Sequence, residues 1–401
     1  MYQDTEFPLL VNETVEIENK INQWLRPGEI QDASTSEDCD WALFREPACN
    51  DVIQGKLPDC WFLTAAASIA EKKFLLERIF PVNQLNPYGV YGFKLCINGD
   101  WKEVIIDDKL PCDSDKQLKF AKAKRKQLWV PLLEKAIAKL LGGYSALNYK
   151  TLTDGMRYLT GCAVEVHFTH ELNDEGHQQA LWERLRMALQ DGFIIACNTY
   201  PNSHTDLQKV KLRGRHGYTF LAIALIGDVK LFQLRNIWGK VAFSGNWSEG
   251  SDKWKDVPEH LVPLEGKGNT TEGIFWISME DFSRYFASLI ICVARENYYE
   301  HSAKAKLFQE GDTSWDAFEF EIFDTAQVDI NLQPIDSQIV QFLLTADGKW
   351  ATNDYKTLIG FASPASQEQA DLTAANPVLQ KPSLTFSNRV IHRLVQNSEL
   401  A

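Results

Sequence analysis

An α+β fold is expected for this chain: a helical lobe first, an antiparallel β lobe second and a β-sandwich last. Three observations lead there. Helix-forming stretches gather before residue 150, at Cys60–Phe74 and Leu128–Leu141. From 151 to 297 short apolar or alternating runs dominate, namely Phe193–Cys197, Tyr218–Ile226, Val229–Leu234, Gly273–Ile277 and Leu289–Ala294, with one helix near His177–Gln190. After the Glu296–Glu300 junction, Phe318–Phe323, Gln327–Leu332, Ile339–Leu344 and Leu358–Phe361 read as strands without a helical period. Helices followed by strands, rather than strict βαβ alternation, imply separate layers. The expected domains are an arm over 1–25, a first lobe over 26–150, a second over 151–297 and the sandwich over 300–401.

Bulk properties narrow the function classes. With 401 residues, 45% apolar and 24% charged, the chain has material for sizeable cores. A net charge of −13 argues against nucleic acid or an acidic membrane surface as the main partner. Residues 1–18 are acidic and lack the apolar run of a signal peptide or membrane span. Eight cysteines without a C-x-x-C pair read as reduced thiols in a cytoplasmic protein.

The chemistry starts at Gln54-Gly55-Lys56-Leu57-Pro58-Asp59-Cys60-Trp61. Pro58 and Asp59 suit a helix start, so Cys60 sits in the first turn, where the helix dipole and a neighbouring imidazolium favour thiolate. Gln54 offers its amide to a developing oxyanion. A cysteine standing alone reads more readily as a core residue, so its partners decide. His216, in Arg215-His216-Gly217-Tyr218, stands at a strand entrance. Asn236, in Arg235-Asn236-Ile237-Trp238-Gly239, ends the next strand, with Trp238 placed to shield an Asn–His hydrogen bond. The order Cys, His, Asn is the papain-like order, and the Cys60–His216 separation is close to the roughly 130–150 residues of that class.

These three motifs resemble those of the calpain protease core. The likeness continues through Trp24-Leu25-Arg26-Pro27-Gly28, Gly99-Asp100-Trp101, Asp107-Asp108-Lys109-Leu110-Pro111, Leu132-Leu133-Glu134-Lys135-Ala136, Gly245-Asn246-Trp247 and Phe275-Trp276-Ile277-Ser278. It implies a two-lobed papain-like core of calpain type and an intracellular cysteine endopeptidase acting on protein substrates. Cys60 would be the nucleophile, His216 the proton shuttle, Asn236 the orienting amide, Gln54 the oxyanion donor and Trp238 the shield. Pro58, Gly217 and Ile237 replace the family's Gly, Ala and Pro. The alternative is a catalytically silent, calpain-like scaffold or binding protein.

The resemblance also implies calcium held in two loops. Asp51, Glu249 and Glu272 stand at candidate ligand positions, but Ser145, Ala242 and Ile274 replace expected carboxylates, so calcium affinity is expected to be weak or absent. The sandwich is the expected place for lipid, membrane or partner contact. The basic run Lys116–Lys126 reads as a mobile surface loop. His167, His170 and His177 match no zinc signature and read as a solvated turn.

Overall fold

A computed structural model describes residues 1–7, 14, 17, 20–31, 39–201, 207–239, 243–263, 266–269 and 271–296, together with six short strands beyond residue 300. The chain divides into two units, Met1–Tyr299 and Glu300–Ala401.

The first unit is built around helix α1 (Cys60–Ile69), in which every residue from Trp61 to Ala67 is buried. A helix apolar on all sides belongs in a core. It stops short of the expected Phe74: the Ala70 and Lys72 amides bond three residues back, to Ala67 and Ile69, which tightens the last turn. The chain then turns into α2 (Lys73–Ile79), which buries Leu75, Leu76 and Ile79.

The segment expected to be mainly helical also holds a hairpin, β1 (Val90–Ile97) paired with β2 (Asp100–Asp107). Its two turn residues, Asn98 and Gly99, both have positive φ (52° and 79°), as a type I′ turn requires. Helix α3 (Trp129–Leu141) ends at Gly142 with φ 98°, a left-handed cap suited to Gly. Helix α4 (Leu152–Thr160) lies past the expected lobe boundary at 150 yet packs on α1, where Gly155 lets its backbone approach Trp61 and Ala65.

The second lobe is a six-stranded antiparallel sheet. Its strands are β3 (Val164–Phe168), β4 (Ile194–Thr199), β5 (Gly217–Ile226), β6 (Val229–Asn236), β7 (Ile274–Ser278) and β8 (Phe286–Cys292), in the spatial order β7-β6-β5-β4-β8-β3. Alternation along β4 and β8 splits their side chains between two cores. Ile194, Ala196, Ile290 and Cys292 join the core of the helical lobe. Ile195, Cys197, Leu289 and Ile291 join a second core under α5 (Glu175–Gln190) and α6 (Met279–Tyr285). The two lobes thus share apolar contacts through one sheet face. Burying one Leu, Ile or Phe side chain in such a core contributes about 1.5–3 kcal/mol.

In the second unit the described strands form three antiparallel pairs: Glu319–Ile322 with Val390–Arg393, Ala326–Asp329 with Ser383–Phe386, and Leu343–Leu344 with Trp350–Ala351. The expected strand Leu358–Phe361, and the closure of these pairs into a sandwich, lie outside the described residues.

Candidate active site

Strand register brings the imidazole and the carboxamide together. In the β5–β6 hairpin Asn236 pairs with Tyr218, two residues after His216. His216 Nε2 is 2.9 Å from Asn236 Oδ1. The same oxygen accepts the Trp238 backbone N–H at 3.1 Å. The Trp238 ring lies 4.7 Å from the His216 ring, and each of His216 and Asn236 is only 2% exposed. With Nε2 committed to the amide, Nδ1 is the ring nitrogen left for proton transfer.

Cys60 enters from α1 and meets the backbone on both sides of His216. Its Sγ donates to Arg215 O at 3.7 Å, and the Gly217 N–H favours the charged form of the sulfur from the other side. Arg215 holds φ at 51°, a conformation uncommon for a side-chain-bearing residue, and this turns its carbonyl toward the sulfur. Gly217 is required by this seam. A Cβ there would come 2.5 Å from Thr64 Oγ1 and 3.4 Å from Cys60 O.

Burial, not the helix dipole, sets the resting protonation. It pushes the Cys60 thiol up, and the neighbouring charge of Asp59 adds to the effect. It pulls His216 down to about 4, helped by Arg213 and opposed by the Asn236 hydrogen bond. Burial thus works toward thiol and neutral imidazole, against the expected thiolate. Removing both groups from water outweighs the first-turn dipole, a contribution of about 1 kcal/mol.

Gln54 is fixed at three points. Its Oε1 accepts Trp238 Nε1–H at 2.5 Å. Its Nε2 donates to Leu57 O at 2.8 Å and to Asp59 Oδ1 at 3.3 Å. Asp59 therefore turns inward to Gln54 and does not cap α1 with its side chain. The hydrogen bonds tie Gln54, Trp238, Asn236 and His216 into one chain that crosses from lobe to lobe.

Three site features escaped the sequence reading: the buried acids Asp59 and Glu134, Thr64 against Gly217, and Arg213 stacked 4.8 Å over Trp238. A Glu inside the apolar stretch Trp129–Ala138 was a legible sign that a polar partner waited in the core.

Two of the candidate calcium residues, Asp51 and Glu272, face basic side chains. The Asp51 carboxylate receives Arg125 Nη2 at 2.6 Å and Nε at 3.3 Å. Glu272 lies 3.9 Å from Lys124 Nζ, and buried Arg235 lies within electrostatic reach of both acids. Ser145 Oγ accepts the Thr14 N–H at 2.8 Å. Glu249 is exposed, and Ala242 lies outside the described residues. The Arg125 guanidinium occupies the Asp51 carboxylate that a calcium ion at this position would need. The basic run also departs from a mobile loop. Lys122–Ala123 pairs with Val52–Ile53, and Lys124 and Arg125 hold carboxylates from the two lobes. The histidines take local partners, His167 with Glu165 at 3.4 Å and His177 with Asp174.

Residues 2–293 match the sequence profile of the calpain family cysteine proteases. The chain is 33% identical over 279 residues to the calpain-type cysteine protease DEK1 of Arabidopsis thaliana, a match that covers 68% of this chain and 13% of that protein. It is 32% identical over 311 residues to calpain-B of Drosophila melanogaster, covering 73% of this chain and 32% of the relative. Against the calpain-2 catalytic subunit of Bos taurus the identity is 32% over 312 residues, covering 73% and 42%. The matched segment is less than half of each relative.

Proposed function

This chain belongs to the calpain family of cysteine proteases, and from that premise we propose that it is a cysteine endopeptidase performing limited proteolysis of protein substrates. One observation carries the reading: the 2.9 Å His216–Asn236 hydrogen bond lies where Cys60 Sγ touches the backbone on either side of His216.

In the proposed mechanism His216 Nδ1 takes the Cys60 proton as sulfur attacks the carbonyl, because a neutral thiol is a poor nucleophile. Asn236 holds the ring in the tautomer that leaves Nδ1 free to accept. The Cys60 backbone N–H and the Gln54 amide face the oxyanion, and Gln54 shares with it the N–H of its longer, 3.3 Å contact, so Asp59 goes on orienting the amide. His216 then returns the proton to the leaving amine, and water hydrolyses the thioester. Trp238 keeps water from the His216–Asn236 bond.

No step of the proposed mechanism uses calcium. Lys124 and Arg125 supply fixed positive charge at Asp51 and Glu272, and activity independent of calcium is part of the proposal. Action in a reducing, cytoplasmic setting agrees with eight cysteines outside any disulfide. The expected lipid contact of residues 300–401 concerns side chains outside the described residues.

The silent-scaffold alternative draws on the burial that raises the Cys60 thiol and on the inward-bonded Gln54 amide. An epoxide-type thiol probe separates the two readings. Labelling of Cys60 in the native protein, with peptidase activity lost in Cys60→Ser, supports the enzyme. Wild-type peptidase activity in Cys60→Ser, or no labelling at high and low calcium, overturns it.

A further inference from the structure

Directly behind the nucleophile, the helical lobe buries two acids against each other. Asp59 is fully buried and Glu134, midway along α3, is 1% exposed. Glu134 receives one N–H, that of Ala121, across both oxygens at 3.0 and 3.1 Å. Asp59 Oδ1 accepts from Gln54, while its Oδ2 is buried without a donor among the described residues. The two carboxyl groups act on each other at close range, and two buried carboxyls can share a hydrogen bond only if one of them carries a proton. Lys135, next to Glu134 in sequence, is no counterion for the pair, because it bonds Asp107 and Lys109 O.

Resting on the protease reading above, we infer that Glu134 is a positioning residue: protonated, it donates to Asp59 Oδ2 and so holds Asp59 in place as the acceptor that orients the Gln54 amide beside Cys60. Burial raises Asp59 to about 6 and raises Glu134, which also faces the Asp59 charge, well above the ordinary carboxylate range. At neutral pH the pair is thus one carboxylate, on Asp59, and one acid, on Glu134. The groups acting on it are Gln54 from the loop before α1, Cys60 at the start of α1 and the Ala121 N–H ahead of α3.

A raised acid loses its proton as pH rises. Ionising Glu134 would place two negative charges behind the sulfur, repel Asp59 from its seat and disfavour both thiolate and oxyanion. The pair therefore gives the enzyme an alkaline limit that originates outside the Cys60–His216 couple.

The test compares Glu134→Gln with Glu134→Leu in the full chain, reading kcat and KM against pH on a peptide substrate. Glutamine keeps an N–H for Asp59 and an oxygen for Ala121 but cannot ionise. It is expected to hold kcat within about threefold of wild type at neutral pH and to remove the alkaline decline. Leucine offers neither group and is expected to lower kcat on the order of tenfold to a hundredfold with KM little changed. Loss of activity in Glu134→Gln equal to that in Glu134→Leu, an unchanged alkaline decline in Glu134→Gln, or full activity in Glu134→Leu overturns the inference. Should Glu134→Leu fail to fold, the Glu134→Gln profile decides by itself. An inert wild type overturns the protease reading and this inference with it, whereas an active wild type with either adverse Glu134→Gln result overturns the inference alone.

Discussion

The two sides of the candidate site are buried to a similar degree and answer in opposite directions. On the sheet side, loss of water drives a base down, His216 to about 4 from its ordinary 6.5. On the helical side it drives acids up, Asp59 to about 6 from 3.8 with Glu134 beyond it. One cause, the cost of charge away from water, gives neutral imidazole on one wall and a proton-sharing acid pair on the other. The lesson is that the site stores its proton in the wall opposite the imidazole, so the walls can be titrated separately.

The largest effect comes from breaking the sheet side outright. Asn236→Ala removes the acceptor at 2.9 Å from His216 and is expected to lower kcat about 10²- to 10⁴-fold with little change in KM, read by steady-state kinetics.

Next in size is the pH dependence of stability. Unfolding lets His216 take up a proton below about 6.5, so its contribution is lost as pH falls toward 4. Asp59 works in the other sense, since its folded form holds a proton more tightly. Its contribution is present below about 3.8 and is lost as pH rises through 6. Each contribution is on the order of 3 kcal/mol, and between pH 4 and 6 they offset. Asp59→Asn should therefore make the urea midpoint fall more steeply on acidification, and His216→Gln should make it rise. Parallel curves for both variants would remove the contrast between the walls.

A smaller effect tests the seam where the walls meet. Gly217→Ala should cost about 1–3 kcal/mol, because the new methyl meets Thr64 at 2.5 Å, and Thr64→Ala in the same chain should recover about 1 kcal/mol or more in a double-mutant cycle. The smallest change expected is at the surface. Lys124→Ala removes a 3.9 Å ion pair whose partners are one third exposed, and its cost should stay under about 1 kcal/mol and vanish in high salt.

How much of this was legible in the sequence varies residue by residue. Cys60, His216 and Asn236 stand in motifs whose local signals, a helix start and two strand ends, survive without tertiary information. The sheet strands were legible because their apolar runs are bounded by turns. The β1–β2 hairpin was overlooked although Asn98-Gly99 is a strong turn signal. The end of α1 was overestimated because Ala70 to Phe74 are good helix formers, and the break there is imposed by burial of Leu75 and Ile79. Asp59 and Glu134 could not be paired from sequence, since charge pattern favours joining an acid to a base, and Lys135 stood adjacent to Glu134 as a decoy. Arg125 was read as solvent-facing for a similar reason: only the folded chain brings Asp51 beneath it.

Trp238 joins both walls at once, with its ring on His216 and its indole N–H on Gln54 Oε1. Indole emission shifts with the polarity around that N–H, so this side chain is an optical gauge of lobe registration. In a variant whose other tryptophans are replaced by phenylalanine, parting of the cleft would show as a red shift, without any substrate, dye or label.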